Sequence, residues 1–402
     1  MSSNDDLRVL TPDLESLGWT KTLQRWADKK PGQPGRIART SRGFSLVFTG
    51  GAAILAGSSS IRTETGTAPA TGDYVRVTND ENGEPIIDEI AKRKTSLTRR
   101  APGPVPEAQV LGANLDDVFV MHGLDRPVNL RRLERQLVIA WQSGARPFVL
   151  LTKADEVGHH EEAVQWIQQI APGVETLAIS TVSGRNIDRV SARFTGTRTI
   201  ALIGLSGIGK STLVNELSGG AVQRVGQVRA TDKRGRHTTV TRDLIPLPGG
   251  GVVVDTPGIR EVGLWQAHDG LAKTFPEIAE AASGCKFNDC AHGKEPECSV
   301  RAARLDGLIS ERRLDHWTQL SGELAVQDQQ LAEFERRSES RDRVEAERKR
   351  DNERPRKKDK SSASRGGARA ENTEDGRGAK TSRKGKNRDG KKLTRNNTRA
   401  ER

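Results

Sequence analysis

Residues 204–211 read Gly-Leu-Ser-Gly-Ile-Gly-Lys-Ser, and this stretch decides the fold class. It matches the pattern GxxxxGK[ST], whose glycines let backbone N–H groups close around phosphate oxygens. The apolar run at 199–203 predicts a strand before the loop, and residues 211–217 predict a helix after it. Because the bare pattern also arises by chance, the flanking strand and helix carry the prediction of a nucleoside triphosphate site.

The residue types in this loop predict individual roles. Lys210 places a positive charge against the β- and γ-phosphates, and Ser211 offers a hydroxyl to the Mg²⁺ that accompanies the nucleotide. The predicted nucleotide-binding residues of the loop are Gly204, Leu205, Ser206, Gly207, Ile208, Gly209, Lys210, Ser211 and Thr212.

Two downstream segments predict the magnesium site and the switch. Asp255 begins Asp-Thr-Pro-Gly at the end of an apolar run, where a carboxylate can hold Mg²⁺ through water and the Gly258 amide can reach the γ-phosphate. His237, Thr238 and Thr239 lie in a loop between the two phosphate motifs, and either threonine is a candidate to complete the magnesium shell. Together with Lys210, we predict His237 and Thr239 as catalytic residues.

The role of His237 depends on its surroundings in sequence. In many GTPases a glutamine after DxxG orients the attacking water, but Ile259 at that position cannot form a hydrogen bond. An imidazole in the switch can take that task, which favours His237. The alternative is that His237 only packs or contacts RNA.

A guanine site is predicted upstream. Thr152, Lys153 and Asp155 belong to Thr-Lys-Ala-Asp, which follows an apolar run as [NT]KxD does. The carboxylate of Asp155 can accept from N1–H and the 2-amino group of guanine, a pair that adenine lacks. Ser180 and Thr181, after another apolar run, suit the loop that contacts the guanine O6. The alternative is that Thr-Lys-Ala-Asp forms a surface turn.

The guanine motifs precede the phosphate loop, whereas in an ordinary GTPase they follow it. A circular permutation, with the chain cut after DxxG, can preserve the site if the original termini lie close together. Strands expected at 118–121, 148–151, 177–179, 199–203 and 252–254 alternate with helical stretches. This alternation predicts a circularly permuted P-loop GTPase α/β domain over residues 106–282.

Other regions flank this domain. Residues 1–34 form a polar lead-in in which we predict no element. Five short apolar runs between 35 and 100 predict a β-barrel over residues 35–105, which we interpret as an OB-fold, although an SH3-like barrel gives a similar pattern.

The cysteines predict a metal site. Cys285, Cys290, His292 and Cys298 are spaced C-x4-C-x-H-x5-C, and the chain has no other cysteine. Three thiolates and one imidazole predict one structural Zn²⁺ per chain, because no position is left open for water. We therefore predict a zinc-binding helical domain over residues 283–336. The alternative is free cysteines in a reducing compartment.

The basic excess of the chain lies at its C-terminal end. Residues 341–402 contain 23 basic and 11 acidic residues, while the remaining 42 basic and 42 acidic residues cancel, so this segment carries the whole net charge of +12. Residues 337–402 contain too few apolar residues to bury enough apolar surface for folding and are predicted to be a disordered basic tail. Such a tail suits a polyanionic partner or serves only solubility.

Localisation follows from two weaker observations. The sequence contains no apolar run of about 18 residues, as a membrane span requires, and its first ten residues are acidic rather than basic. We expect a cytoplasmic protein with no membrane partner.

The motifs together resemble one family. GLSGIGKSTLVN (204–215), GRHTT (235–239), DTPGIRE (255–261) and CKFNDCAHGKEPECSV (285–300) are similar to the ribosome small subunit-dependent GTPase A family, RsgA/YjeQ. The resemblance covers residues 35–330. It implies an OB-fold, a permuted GTPase domain and a zinc domain. It also implies GTP binding and hydrolysis to GDP, stimulated by the small (30S) ribosomal subunit with its 16S rRNA, in late subunit maturation; we expect a monomer.

Departures from the family pattern qualify this expectation. Thr152 replaces the usual Asn, which removes an amide that braces the loops, and Thr181 replaces the usual Ala. Weaker guanine affinity is therefore expected. Two other functions stay open: a nucleic-acid-binding module that uses nucleotide only as a switch, and a P-loop ATPase or small-molecule kinase, against which Asp155 argues.

Overall fold

The structure is a computed structural model that describes residues 12–64, 66–103, 105–219, 242–255 and 263–353. The chain divides into two compact units, Met1–Val344 and Glu345–Arg402, and only residues 345–353 of the second unit are described. Within the described residues the strands are β1 (Gln33–Thr40), β2 (Phe44–Phe48), β3 (Ala53–Gly57), β4 (Tyr74–Asn79), β5 (Pro85–Ile90), β6 (Ser96–Arg100), β7 (Ala108–Ala113), β8 (Asp117–Gly123), β9 (Arg146–Thr152), β10 (Glu175–Ala178), β11 (Thr199–Ile203), β12 (Asp243–Pro246) and β13 (Val252–Asp255).

The α-helices in the same described ranges connect and cover these strands. They are α1 (Lys21–Ala27), α2 (Leu130–Gln142), α3 (His160–Ile170), α4 (Ile187–Ser191), α5 (Lys210–Leu217), α6 (His268–Thr274), α7 (Pro276–Ser283), α8 (Ser299–Leu305) and α9 (Glu311–Glu353). None of the described helices is long and apolar enough to cross a membrane.

Strands β1 to β5 form a closed barrel. They pair in the order β1-β2-β3-β5-β4, and β4 returns to pair with β1. The barrel interior is apolar, lined by Ile37, Val47, Ala56, Val75, Val77, Ile87 and Ile90. Gly35 lies where β1 passes from β4 to β2, and an added Cβ there would be 2.4 Å from Val47 Cγ1. The strand order, with β3 parallel to β5 and β4 closing on β1, is the Greek-key arrangement of an OB-fold and confirms that interpretation over the SH3-like alternative.

A short helix precedes the barrel, where the sequence predicted no element. Helix α1 is capped at its start by Thr20, whose hydroxyl accepts from the Leu23 N–H at 3.3 Å. The indole of Trp26 donates to Glu89 of β5 at 3.0 Å and attaches the helix to the barrel. Seven residues are too few to show a helical period in sequence.

The central sheet has the α/β architecture that the sequence predicted. Strands β10, β9, β8, β11 and β13 are parallel in that order, and β12 pairs antiparallel with β13. The central strands β8 and β11 are buried along their whole length, as expected where helices cover both faces of such a sheet. Strand β12 and the β6–β7 hairpin were not predicted, because β12 has only four residues and ends in Pro246, and β6 (Ser-Leu-Thr-Arg-Arg) is mostly polar.

The barrel and the central sheet share one hydrogen-bonded ladder. Strand β1 pairs with β12 at the register Arg39 to Asp243, and the same two side chains form an ion pair. The described strands β1–β5 and β8–β13 therefore form one eleven-stranded sheet.

Arg36 is the buried polar link at this junction. Its guanidinium donates to the carbonyl oxygens of Leu17 (2.7 Å), Gly72 (3.1 Å) and Asn114 (3.3 Å) and to the hydroxyl of Thr199 (2.9 Å). Burial lowers the pKa of Arg36, an effect that Tyr74 and two acidic residues oppose. A fully buried cation is tolerated because its donors are satisfied.

The C-terminal helices pack on the central domain through Glu134 of α2. Its carboxylate accepts from Arg312 (2.9 Å), Arg313 (3.0 Å) and His316 (2.5 Å), all on α9. Burial raises the pKa of Glu134, but the hydrogen bonds from His316 and Arg312 outweigh this effect and leave it below its usual value.

Helix α9 continues beyond residue 336, where the sequence predicted the disordered tail to begin. It reaches Glu353, so residues 337–353 are helical and the prediction that they are disordered is wrong. Glu and Arg are good helix formers, and Glu333 pairs with Arg337 one turn later. Composition predicted disorder here because the segment has few apolar residues to bury. An existing helix can nevertheless be extended without burial, because each added residue gains a backbone hydrogen bond and the costly nucleation step has already occurred. Residues 354–402 lie outside the described residues.

We expect Arg36→Lys to destabilise the protein by about 3 kcal/mol, because a lysine cannot reach four separated acceptors and leaves buried carbonyls unpaired. The measurement is the midpoint of denaturant unfolding. The control is Arg62→Lys, because Arg62 is exposed and, among the described residues, donates only to the Ser59 and Ile61 backbone oxygens. Equal midpoints for both variants would contradict the role of Arg36.

Candidate nucleotide and metal sites

The predicted nucleotide residues converge on one edge of the central sheet. The parallel part of the sheet has the order β10-β9-β8-β11-β13, so the carboxyl ends of all its strands lie at the same edge. Thr152 and Asp255 are the last residues of β9 and β13, and Ser180 and Gly204 lie in the loops that follow β10 and β11. Ligands of open α/β sheets bind at this edge.

The phosphate loop has the backbone that its glycines predict. Gly204 has φ 153°, and an added Cβ would be 2.6 Å from the Met121 carbonyl oxygen of β8, so a larger residue would displace the loop. Gly209 has φ 95° and precedes the first residue of α5. These left-handed positions turn the chain from β11 into the helix N-terminus, where N–H groups are available to an anion.

Lys210 folds over this loop rather than into solvent. Its ammonium donates to the carbonyl oxygens of Gly204 (2.9 Å) and Leu205 (2.6 Å). Burial lowers the pKa of Lys210, and the nearby Asp255 carboxylate opposes that shift. A positive charge is thus held at the loop that is predicted to surround the phosphates.

The structure describes part of the predicted magnesium shell. Ser211 is exposed in the first turn of α5, and Asp255 ends β13 opposite Leu202 of β11. Thr212 is likewise exposed, in the same turn. The predicted switch residues His237, Thr238 and Thr239 and the predicted amide of Gly258 lie outside the described residues.

The two predicted guanine loops lie side by side. The Ala154 N–H donates to the Ile179 carbonyl oxygen at 3.1 Å, and the Ile179 N–H donates to the Leu151 carbonyl oxygen at 2.8 Å. Lys153 has a left-handed backbone with φ 59°. Asp155 lies in the single helical turn that follows, and its side chain is exposed. The structure therefore places Asp155 beside the loop of Ser180 and Thr181.

Ser180 organises the second of these loops. Its buried hydroxyl accepts from the N–H groups of Val182 (3.2 Å) and Ser183 (3.1 Å). Thr181, between them, is half-buried. The Ser180 side chain thus shapes the backbone next to Asp155, a role that the sequence analysis did not assign.

Thr152 joins the guanine loops to the phosphate loop. Its hydroxyl donates to the Ile208 carbonyl oxygen at 2.6 Å, with the His122 carbonyl oxygen at 3.3 Å. Replacement of the usual Asn by Thr152 predicted that the bracing by its amide is lost. The structure shows a hydroxyl brace at this position, while the effect of Thr152 on guanine affinity stays a prediction.

The cysteine cluster has the dimensions of a tetrahedral metal site. Cys285 Sγ lies 3.5 Å from His292 Nδ1 and 3.9 Å from Cys298 Sγ, and His292 Nδ1 lies 3.6 Å from Cys298 Sγ. Together with Cys290, all four ligand atoms lie within 4.8 Å of one another. Tetrahedral Zn–S and Zn–N bonds imply about 3.8 Å between sulfurs and about 3.6 Å between sulfur and nitrogen. The donor set can therefore hold one metal ion.

Neighbouring residues orient these ligands. His292 has φ 59°, and its ring lies 5.3 Å from the ring of Trp317 on α9. Cys298 accepts from the Arg301 N–H at 3.4 Å as it caps α8. Trp317 is distant in sequence from the cysteines, so spacing alone did not indicate its role.

Comparison with known proteins identifies the family. A sequence model described as RsgA GTPase matches residues 90–265. A Methanosarcina acetivorans protein named small ribosomal subunit biogenesis GTPase RsgA is 38% identical over 313 residues, covering 77% of this chain and 85% of that protein. The chain belongs to the RsgA GTPase family.

Two further RsgA-type comparisons agree. A Streptomyces coelicolor protein with the same name is 40% identical over 321 residues, covering 77% of this chain and 86% of that protein. The crystal structure of YjeQ from Thermotoga maritima matches with TM-score 0.53 and 25% identity, covering 73% of this chain and 99% of that chain. The resemblance and the circularly permuted fold predicted from sequence are confirmed.

We expect Thr152→Val to weaken nucleotide binding about 5- to 30-fold, because the change removes the hydroxyl and leaves the Ile208 carbonyl without this brace. Calorimetric titration with GDP measures the effect. Thr152→Asn should bind GDP more tightly than Thr152→Val, because the Asn amide can donate to the Ile208 carbonyl oxygen in place of the hydroxyl.

Thr176→Val is the matched control. Thr176 on β10 is also buried, but within the described part of the chain its hydroxyl makes only a 3.4 Å contact with the Val174 carbonyl oxygen. If both valine variants bind GDP equally well, the brace does not support the site.

Proposed function

We propose that this chain is a GTP hydrolase that acts on the small ribosomal subunit during its biogenesis. The observation that carries the proposal is the hydrogen bond from Thr152 to Ile208, because it ties a loop suited to guanine to a loop suited to phosphate. Both loops occupy the carboxyl edge of one sheet. A nucleotide that spans them has its base near Asp155 and its phosphates near Lys210.

The described side chains support distinct tasks in hydrolysis. Lys210 neutralises charge on the β- and γ-phosphates, and Asp155 accepts from the guanine edge. Ser211 and Asp255 would hold Mg²⁺, which supplies positive charge to the phosphate oxygens when bound. The assignments of His237 and Thr239 as catalytic, and of Thr238 or Thr239 as a magnesium ligand, are part of the proposal.

The partner is inferred from the relatives and from charge. Relatives that share most of this chain carry the name small ribosomal subunit biogenesis GTPase, and we assign this partner to the chain. An OB-fold suits single-stranded nucleic acid, and the basic residues 341–402 suit phosphates, which supports binding to 16S rRNA. We further propose that the protein is a cytoplasmic monomer and that the subunit stimulates hydrolysis.

Zinc is the proposed occupant of the cysteine cluster. Three thiolates and one imidazole at tetrahedral spacing favour Zn²⁺ over the hard cations that prefer oxygen. All four donors are used, so the metal would stabilise the segment between α7 and α8 without taking part in hydrolysis.

Lys210→Ala should lower GTP hydrolysis at least about 100-fold, because it removes charge stabilisation of the transition state. The assay measures phosphate release by the full chain while purified small ribosomal subunits are titrated. Wild-type turnover should rise with subunit concentration, whereas the variant should stay near background. Lys273→Ala, which alters an exposed lysine on α6, serves as the control.

Two results would contradict the proposal. Wild-type turnover that does not change with subunits would remove the ribosomal partner as activator. Undiminished turnover in Lys210→Ala would show that the phosphate loop is not the catalytic site.

The zinc assignment predicts about one equivalent of Zn²⁺ per chain by elemental analysis and its loss in Cys290→Ser. Because metal binding and local folding are coupled, that variant should also become sensitive to proteolysis within residues 285–300. Lys294→Ala, in the same segment but without a ligand atom, should keep both metal and resistance. The assignment would be overturned if wild-type protein freed of zinc resisted proteolysis as well as wild-type protein that contains zinc.

A further inference from the structure

Asp125 lies beside the proposed guanine site, and no motif in the sequence indicated it. It follows β8 by two residues. Its Oδ2 accepts from Lys153 Nζ at 2.9 Å and from the Arg126 guanidinium at 2.9 Å. Its Oδ1 is buried and has no hydrogen-bond partner among the described residues. The carboxylate is thus held by a residue of the Thr-Lys-Ala-Asp loop.

A glycine makes room for this contact. Gly123 ends β8, and an added Cβ would lie 2.4 Å from Asp125 Oδ1 and 3.7 Å from Lys153 Cδ. Gly123 is paired with Thr152 across the β8–β9 ladder. The turn after β8 therefore brings Asp125 directly against the residue that follows Thr152.

Lys153 has a conformation that needs support. Its backbone is left-handed, which is unfavourable for a residue with a Cβ, and its long side chain has many rotamers to restrict. The side chain is only 29% exposed, and its ammonium pairs with a carboxylate that is 16% exposed. An ion pair at this depth is less screened than one on the surface.

The charge state of Asp125 is consistent with a permanent anchor. Hydrogen bonds from Arg126 and Lys153 lower the pKa of Asp125 to about 2. Arg126 is 61% exposed, so solvent screens its contribution more than that of Lys153. The carboxylate stays ionised at neutral pH.

We propose that Asp125 is a positioning residue for guanine-nucleotide binding, acting through Lys153. The Asp125–Lys153 pair fixes the residue that lies between Thr152, which holds the phosphate loop, and Asp155, which faces the base. Pairing keeps the guanine loop in its binding conformation before nucleotide arrives. This inference rests on the proposed function, because it deepens the assignment of the same site.

The test compares two probes of the site. GDP reports binding by base and phosphates together, whereas inorganic tripolyphosphate reports the phosphate loop alone. Asp125→Asn should weaken GDP binding about 5- to 30-fold, because it removes the charge that anchors Lys153. Tripolyphosphate binding should change by less than about twofold. Thr152→Val, which loosens the phosphate loop itself, should weaken both.

Four further variants isolate the route through Lys153. Asp125→Glu keeps the charge and should recover part of the affinity. Arg126→Gln removes the exposed partner of Asp125 and should bind GDP as the wild type does. Asp125→Asn combined with Lys153→Met should bind GDP no more weakly than Lys153→Met alone, because the two residues act as one unit.

Each contrary outcome has a separate meaning. Equal weakening of GDP and tripolyphosphate binding in Asp125→Asn would show general disruption and overturn the inference. Additive effects in the double variant would also overturn it, because Asp125 would then not act through Lys153. If wild type and Asp155→Asn both bind ADP as tightly as GDP, the proposed guanine site itself fails, whatever Asp125 does.

Discussion

The hydrogen bond between the Thr152 hydroxyl and the Ile208 carbonyl oxygen is the contact on which the proposed nucleotide site depends. It connects the end of β9 to the loop after β11, two strands that are separated in the sheet by β8. Without such a connection the base loop and the phosphate loop would be independent surface turns. Circular permutation leaves this contact unchanged, because it depends on the positions of strands in the sheet rather than on their order in the chain.

Buried ions provide the other long-range connections. Arg36 satisfies carbonyls from the lead-in, the barrel and the turn before β8, while Glu134 binds three basic residues of α9. Both are fully buried in a chain with only 4% aromatic residues. Polar networks of this kind specify how elements pack together, because an unpaired member is costly in an apolar interior.

Much of the architecture was predictable from the sequence because the informative segments are periodic or carry a motif. The barrel strands alternate, the parallel strands are continuously apolar, and strand β11 was predicted at its observed bounds of 199–203. Helix α1 was missed because it has seven residues, and the end of α9 was missed because helix propensity acts without burial. In the candidate site, motifs indicated Lys210, Asp155 and the cysteines. Asp125, Trp317 and the brace by Thr152 depend on contacts between distant residues, which spacing does not encode.

The pairing of β1 with β12 has a consequence for how the protein can be divided. Sequence boundaries suggest that residues 106–282 can be produced alone, yet removing the barrel would expose the outer edge of β12 and leave Asp243 without Arg39. An uncovered strand edge is a template for association with other chains. Because Arg36 lies on β1 of the barrel, the Asn114 carbonyl oxygen and the Thr199 hydroxyl would also lose the hydrogen bonds that Arg36 donates. The barrel thus covers the edge of the central sheet, and the two belong to one compact unit despite their different folds.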